Sequence, residues 1–156
     1  MSTTEEIVAA LEQAGEDYAR FIEAQSPEAF HRRPAPEEWT AAELTGHVAE
    51  FPVTFSEQAR RVSESPGLQL GRSLDDPGRL AAVEKLAGAG PVEAAAAVRS
   101  GVRQAVGSLR GISEAGWQAE GQHPRLGEIS AREVVEHFIL DHLREHLGQA
   151  RAAVGS

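Results

Sequence analysis

The chain has 156 residues, the usual size of one domain, with 15 Lys and Arg against 24 Asp and Glu and a net charge of −9. The negative charge argues against nucleic acid and anionic membranes as partners, and the absence of cysteine excludes disulfides and thiolate metal sites. Because no run of about 18 apolar residues occurs and the first residues are acidic rather than basic, we expect one cytoplasmic domain, residues 1–156, with no membrane span.

The first half of the chain predicts two long amphipathic helices. Apolar residues recur at three- and four-residue intervals over about residues 3–25, and a proline-rich connector follows this first helix. A capping box at Thr40–Glu43 starts the second helix, which continues to about residue 64. Pro52 lies inside the second helix and is expected to bend it, because proline removes one backbone hydrogen bond.

The second half of the chain predicts two more long helices. A loop rich in Gly, Pro and Asp covers residues 65–78, and a short helical piece follows at 79–87. The third long helix is expected at about 91–111, an irregular stretch at 118–129 and the last helix at about 130–153. No alternating strand pattern is visible, so the sequence predicts an all-α four-helix bundle, antiparallel or mixed.

Three histidines are expected to face the interior of this bundle. Each residue of a helix turns by about 100°, which places His146 on one stripe with His142. Within about 40° of His142 lie Ala131, Val135, Phe138, His146 and Gln149. By the same count His47 looks inward from the second helix. His137 falls on the far side of the last helix, toward solvent or a subunit contact.

The spacing of these histidines suits a metal ion. Residues four apart on a helix have Cβ atoms about 5–6 Å apart, so the rings of His142 and His146 can both reach one ion at about 2.0–2.1 Å. Adding His47 gives three nitrogens and leaves a fourth position open, as in catalytic zinc sites. The alternative is that each ring is an ordinary core histidine, hydrogen-bonded to a carbonyl or a water.

Two strings of the sequence resemble those of a known family. EEWTAAELTGHVAEF at 37–51 is similar to the second-helix signature of the DinB/YfiT-like superfamily, and HPRLGEISAREVVEHFILDHLREHLGQAR at 123–151 resembles its last helix. The resemblance implies an up-down-down-up bundle in which His47, His142 and His146 bind a divalent ion, usually zinc or nickel. Family members with assigned roles include transferases and isomerases that depend on bacillithiol, mycothiol or similar small thiols. Other members are described as hydrolases, so the resemblance implies an activity of one of these kinds.

Further polar residues lie near the predicted site. Glu43 and Glu50 fall within about 60° of His47, so either could orient a ligand or act as a base. Glu43 already serves the capping box, which leaves Glu50 as the candidate catalytic residue, or else as a solvated carboxylate. Trp39 is expected to pack against the bundle rather than bind substrate. The segment 31–33 is expected to be a solvated loop, unless it folds over the pocket to meet an anionic substrate.

Two functional hypotheses follow. The first is an enzyme that uses zinc or nickel at the three histidines to transfer a small thiol to a small-molecule substrate, or to hydrolyse it. The alternative is a non-catalytic metal- or ligand-binding bundle of the stress response, and a purely structural domain is the third. The last helix also carries a second apolar stripe that either the bundle or a second subunit could bury, and we expect a homodimer. The stripe consists of Leu140, Leu143, Leu147 and Val154.

Overall fold

The computed structural model describes residues 2–155, which are mostly helical. The helices are α1 Thr3–Glu23, α2 Pro27–Phe30, α3 Ala41–Glu64, α4 Pro77–Leu86, α5 Pro91–Leu109, α6 Ala131–Val135 and α7 Asp141–Gly155. A 3₁₀ turn at Ala115–Gln118 and the strands β1 Glu120–His123 and β2 Gly127–Ser130 lie between α5 and α6. The all-α prediction is confirmed, with one small sheet added. Within residues 2–155, no helix is both long and apolar enough to cross a bilayer.

Capping boxes start the helices where the sequence places them. The Thr40 hydroxyl accepts a hydrogen bond from the Glu43 backbone N–H at 3.1 Å, and the Glu43 carboxylate accepts one from the Thr40 N–H at 2.9 Å. Ser130 and Glu133 form the same pair of bonds before α6. Each such cap is worth about 1 kcal/mol, and together they fix where α3 and the last helix begin. The helix α3 then continues through Pro52 to Glu64 without interruption.

The contacts between α1 and α5 show that these helices run in opposite directions. The backbone N–H of Thr3, at the start of α1, donates to Glu114 beyond the end of α5. Further along α1, the carboxylates of Glu16 and Glu23 both accept hydrogen bonds from Arg99, in the first half of α5. The two helices are therefore antiparallel and are joined by polar contacts at both ends.

The helices α3 and α5 run in the same direction and lie very close together. Gly101 faces the backbone of Ala49, and an added Cβ would lie only 2.2 Å from the Ala49 carbonyl oxygen. Eleven residues after Ala49, the side chain of Arg60 lies beside Gly111, ten residues after Gly101. Helices α1 and α3 thus point in opposite directions and α3 and α5 in the same one, as an up-down-down-up order requires.

The apolar stripe of the last helix is buried by the chain itself. Leu140 is 6% and Leu143 1% exposed, and both belong to the main core, against which Leu147 and Val154 also pack. Two of these residues are buried and two pack against the chain's own core, so the stripe does not require a second subunit, and the homodimer stays a prediction.

A short hairpin replaces part of the stretch that was predicted to be irregular. The strands β1 and β2 pair antiparallel, and Gly127, with φ of 73°, closes the turn between them. The stretch predicted to be irregular at 118–129 thus contains most of a hairpin, which the sequence did not indicate because two strands of four residues are too short to show an alternating pattern. Gln122 of β1 also bonds to the backbone of Leu68 and Leu70, which ties the loop after α3 to the hairpin.

A π-helical turn, Glu136–Leu140, joins α6 to α7 and changes the faces of the last helix. A π turn accommodates an extra residue, so residues before it are rotated relative to those after it. Val135 is fully buried in the core, whereas His142 is only half-buried, so the predicted common stripe of Val135 and the histidines is not maintained. Phe138, which the helical count also places on this stripe, does lie on the histidine side, with its ring centre 6.4 Å from that of His142.

Candidate metal and ligand site

The three predicted histidines come together at one place in the bundle. The helix α3 supplies His47, and α7 supplies His142 and His146. The ring centre of His146 lies 5.2 Å from that of His47 and 5.5 Å from that of His142. The expected convergence is therefore observed, while the binding of a metal by these rings stays a prediction.

Aromatic side chains contact all three rings and bury that of His47. The ring centre of Phe51 lies 4.9 Å from that of His47, 5.6 Å from that of His142 and 5.7 Å from that of His146. The indole of Trp39 meets the His47 ring edge-on at 5.8 Å. His47 is only 7% exposed as a result. Such surroundings make a charged imidazole costly and favour the neutral form.

Hydrogen bonds fix which nitrogen of two of these rings carries the proton. The Nδ1 atom of His142 lies 3.3 Å from the carbonyl oxygen of Phe138, and Nδ1 of His146 lies 3.0 Å from the side-chain oxygen of Gln149. Because both partners can only accept, each Nδ1 must donate. The Nε2 atom of both rings then has a free lone pair, which is the arrangement that outer contacts impose on metal-binding histidines.

His47 has a buried nitrogen without a partner. Its Nδ1 atom makes no hydrogen bond to any residue within 2–155. Burial, reinforced by the positive charges of His146, Arg79, Arg72 and His142, lowers the pKa of His47 to about 3. Burial also lowers the pKa of His146, although the hydrogen bond that His146 donates to Gln149 acts in the opposite direction. Both rings are therefore neutral at neutral pH, which is the form that binds a metal.

The spacing of the rings fits one ion, although their present orientation does not complete a site. A tetrahedral zinc with Zn–N bonds of about 2.0–2.1 Å holds two imidazole centres about 5.2 Å apart, close to the distances around His146. As they stand, no three His, Asp or Glu side chains within residues 2–155 form a group that could hold a metal. Binding would thus require the rings to turn about their χ angles. The unpartnered nitrogen of His47 leaves that ring free of any hydrogen bond that would oppose such a turn.

The two candidate carboxylates are both engaged. The Glu50 carboxylate accepts two hydrogen bonds from Arg72, one of them at 2.6 Å, and another from the Thr54 hydroxyl at 2.5 Å. Glu43 serves the capping box, as expected, and also pairs with Arg33 at 2.9 Å. This pairing favours Glu50 as the residue that positions Arg72, rather than as a free base.

A cavity of about 250 Å³ opens beside the histidines, and three arginines line it. They are Arg72 from the loop after α3, Arg79 from α4 and Arg125 from the hairpin turn. None of them stood out in the sequence, because loops and turns carry no periodic signal that would place a side chain at a distant site. The segment 31–33 does not line this cavity, and its Arg33 is turned toward Glu43.

Two further aromatic residues, His123 and Trp39, form part of the wall of the site. His123, the last residue of β1, is 9% exposed and stacks on Phe138 with ring centres 5.1 Å apart. Its Nδ1 accepts hydrogen bonds from the backbone N–H groups of Arg125 and Leu126, each at 3.2 Å. Trp39 does pack against the core, as predicted, yet it also contacts His47 and thus forms part of the site wall.

Comparison with known protein families gave a match over most of the chain. The family model of the DinB superfamily matches residues 10–150, a range that contains all three histidines and every residue that lines the cavity. The search of curated proteins gave no match.

Proposed function

Since the chain belongs to the DinB superfamily, we propose that it is a metal-dependent enzyme in which His47, His142 and His146 bind one divalent ion, zinc or nickel. The reaction is the transfer of a small thiol to a small-molecule substrate, or hydrolysis of that substrate at the same site. One observation carries this proposal: three imidazoles from two helices meet with ring centres 5.2 and 5.5 Å apart, and one of their buried nitrogens has no partner.

The chain's own residues provide the conditions that this chemistry needs. When bound, a zinc or nickel ion with three imidazole ligands would lower the pKa of a thiol or water at its remaining position. Phe51 and Trp39 pack against the His47 ring and shield it from water, which strengthens electrostatic interactions there. Gln149 and the Phe138 carbonyl hold the protons of two rings at Nδ1 and keep Nε2 available.

Metal titration with variants tests the ligand set. The purified full-length protein should bind one zinc or nickel ion per chain, measured by elemental analysis after gel filtration, and its thermal midpoint should rise with metal. His142→Ala and His146→Ala should each lose the ion. His137→Ala is the control, because His137 lies on the same helix with about half of its side chain exposed. Equal metal content in all three variants would contradict the proposal.

Activity is tested separately from metal binding. Conjugation of small thiols to electrophiles should proceed with the metal-loaded protein and stop when a chelator is added. Full turnover by metal-free protein would refute a metal-dependent mechanism.

A non-catalytic role is the second candidate, and one observation favours it. No carboxylate is found among the described residues that line the cavity, and Glu50 nearby is already bound to Arg72. A carboxylate that could act as a general base is therefore lacking in the described part of the cavity lining. Tight metal binding together with no turnover over a broad panel of thiols and electrophiles would favour a metal- or ligand-binding bundle.

A further inference from the structure

The cavity beside the histidines is positively charged in a strongly negative chain. Three arginines line it, while the chain as a whole has a net charge of −9. Within residues 2–155, the cavity lining contains no Asp or Glu side chain. A concentration of guanidinium groups at one concave surface raises the local concentration of anions.

Arg72 is the arginine whose charge is compensated. Its side chain is only 11% exposed, and its two terminal nitrogens bind the two oxygens of Glu50. A carboxylate oxygen of Asp76 lies 3.6 Å from Nη1 of the same guanidinium. With its fork occupied in this way, Arg72 serves as a fixed part of the wall rather than as a free binding group.

Arg79 and Arg125 retain an uncompensated charge. The Arg79 guanidinium donates to the carbonyl oxygen of Leu74 at 2.8 Å and lies 5.0 Å above the ring of Trp39, but it pairs with no carboxylate within residues 2–155. The guanidinium of Arg125 has neither a hydrogen bond nor an ion pair in the described part of the chain. Two positive charges thus face a small cavity without a counterion from the chain.

The backbone of Arg125 is held in place, so its position at the cavity is not accidental. The ring nitrogen of His123 accepts the N–H of Arg125, and the ring itself stacks on Phe138 at an interplanar angle of 21°. These contacts fix the hairpin turn against the π-helical turn of the last helix. The two uncompensated arginines approach the cavity from different elements, Arg79 from α4 and Arg125 from the hairpin.

We propose that this cavity binds the oxyanion group of a small organic molecule, a carboxylate or a phosphate ester, through Arg79 and Arg125. Planar guanidinium forks match both of these anions. The inference rests on the proposed function and deepens it: the anionic group anchors the substrate that reacts at the neighbouring histidines. A volume of about 250 Å³ limits the molecule to a small metabolite.

Direct binding to metal-free, full-length protein tests this inference without any activity assay. Succinate and inorganic phosphate are titrated separately by isothermal calorimetry at low ionic strength, and the stronger of the two identifies the class of anion. Arg125→Gln and Arg79→Gln should each weaken binding by about tenfold, as expected for the loss of a charge-assisted hydrogen bond. Added salt should also weaken it.

Arg110→Gln is the matched control. Arg110 is exposed, lies just beyond α5 and does not line the cavity, so this variant makes the same change in net charge and should leave binding unaltered. Because Arg125 is exposed on a turn, its variant should fold even if Arg79→Gln does not, which thermal unfolding will show. No saturable binding of either anion, or an equal effect of Arg110→Gln and Arg125→Gln, would overturn the inference.

The outcomes separate this inference from the proposed function. Metal binding without anion binding would leave the metal-dependent site standing and remove the anionic substrate. Anion binding that depends on Arg79 and Arg125, in a protein that takes up no metal, would support the cavity and refute the metal-dependent function.

Discussion

Replacing His47 by Leu should make the metal-free protein more stable. The imidazole is buried against Phe51 and Trp39, and its Nδ1 has no hydrogen-bond partner within residues 2–155. An unsatisfied buried polar atom costs about 1–3 kcal/mol, and Leu has a similar volume without any polar atom. Allowing for imperfect packing of the new side chain, we expect a gain of about 1 kcal/mol in the free energy of unfolding near pH 7.5.

The advantage of His47→Leu should grow as the pH falls. The pKa of His47 is lowered from 6.5 to about 3 in the folded protein, mainly by burial, so the unfolded chain takes up the proton first. Stability from the neutral ring is therefore fully present above pH 6.5 and is lost progressively as the pH falls toward 3. Between about pH 7.5 and pH 5 the protein should lose about 2 kcal/mol of its free energy of unfolding in this way. The His47→Leu variant should not show this loss, because it has no ring to protonate at this position.

Urea unfolding of chelator-treated protein at both pH values measures this effect. The free energy of unfolding of the variant should exceed that of the unchanged protein by about 1 kcal/mol at pH 7.5 and by about 3 kcal/mol at pH 5. His31→Leu is the control, because His31 is exposed and its ring contacts Phe30 rather than any of the three histidines, so this variant should not reproduce the gain of about 1 kcal/mol at pH 7.5. A variant less stable than the unchanged protein at pH 5 would refute the assignment of His47 as a buried, neutral and unpartnered ring.

Three other measurements follow from the packing and the site. Gly101→Ala should lower the free energy of unfolding by about 1–2 kcal/mol, because the added Cβ would lie 2.2 Å from the Ala49 carbonyl oxygen. The control is Gly107→Ala on the same helix, where the added Cβ meets open space. This variant should raise the free energy of unfolding by about 0.5–1 kcal/mol. Glu50→Gln should cost about 1–2 kcal/mol in urea unfolding by leaving Arg72 partly unpaired, and a change below about 0.5 kcal/mol would show that the pair contributes little. A free zinc concentration of about 100 times the dissociation constant should stabilise the protein by about 2.7 kcal/mol, and a chelator should reverse this; an unfolding curve unaffected by zinc would argue against the metal site.

The fold class could be predicted well from local signals. Periodic apolar residues and capping boxes are properties of neighbouring residues, and they placed α3 and the start of the last helix within one residue of their observed positions. The hairpin was missed because four-residue strands carry no such pattern, and the π turn was missed because an extra residue in a helix leaves no mark in composition.

The sequence by itself determined that His47, His142 and His146 face one interior, since each position follows from a helical repeat that local backbone geometry enforces. Only the tertiary structure decided that Arg79 and Arg125 join them at a single cavity. These side chains lie on separate elements far apart along the chain, and their meeting depends on how the loop, the hairpin and the helices pack, which no short-range pattern encodes. The inward positions of the three candidate metal ligands thus follow from local sequence patterns, whereas the positive charge of the cavity beside them depends on the tertiary packing.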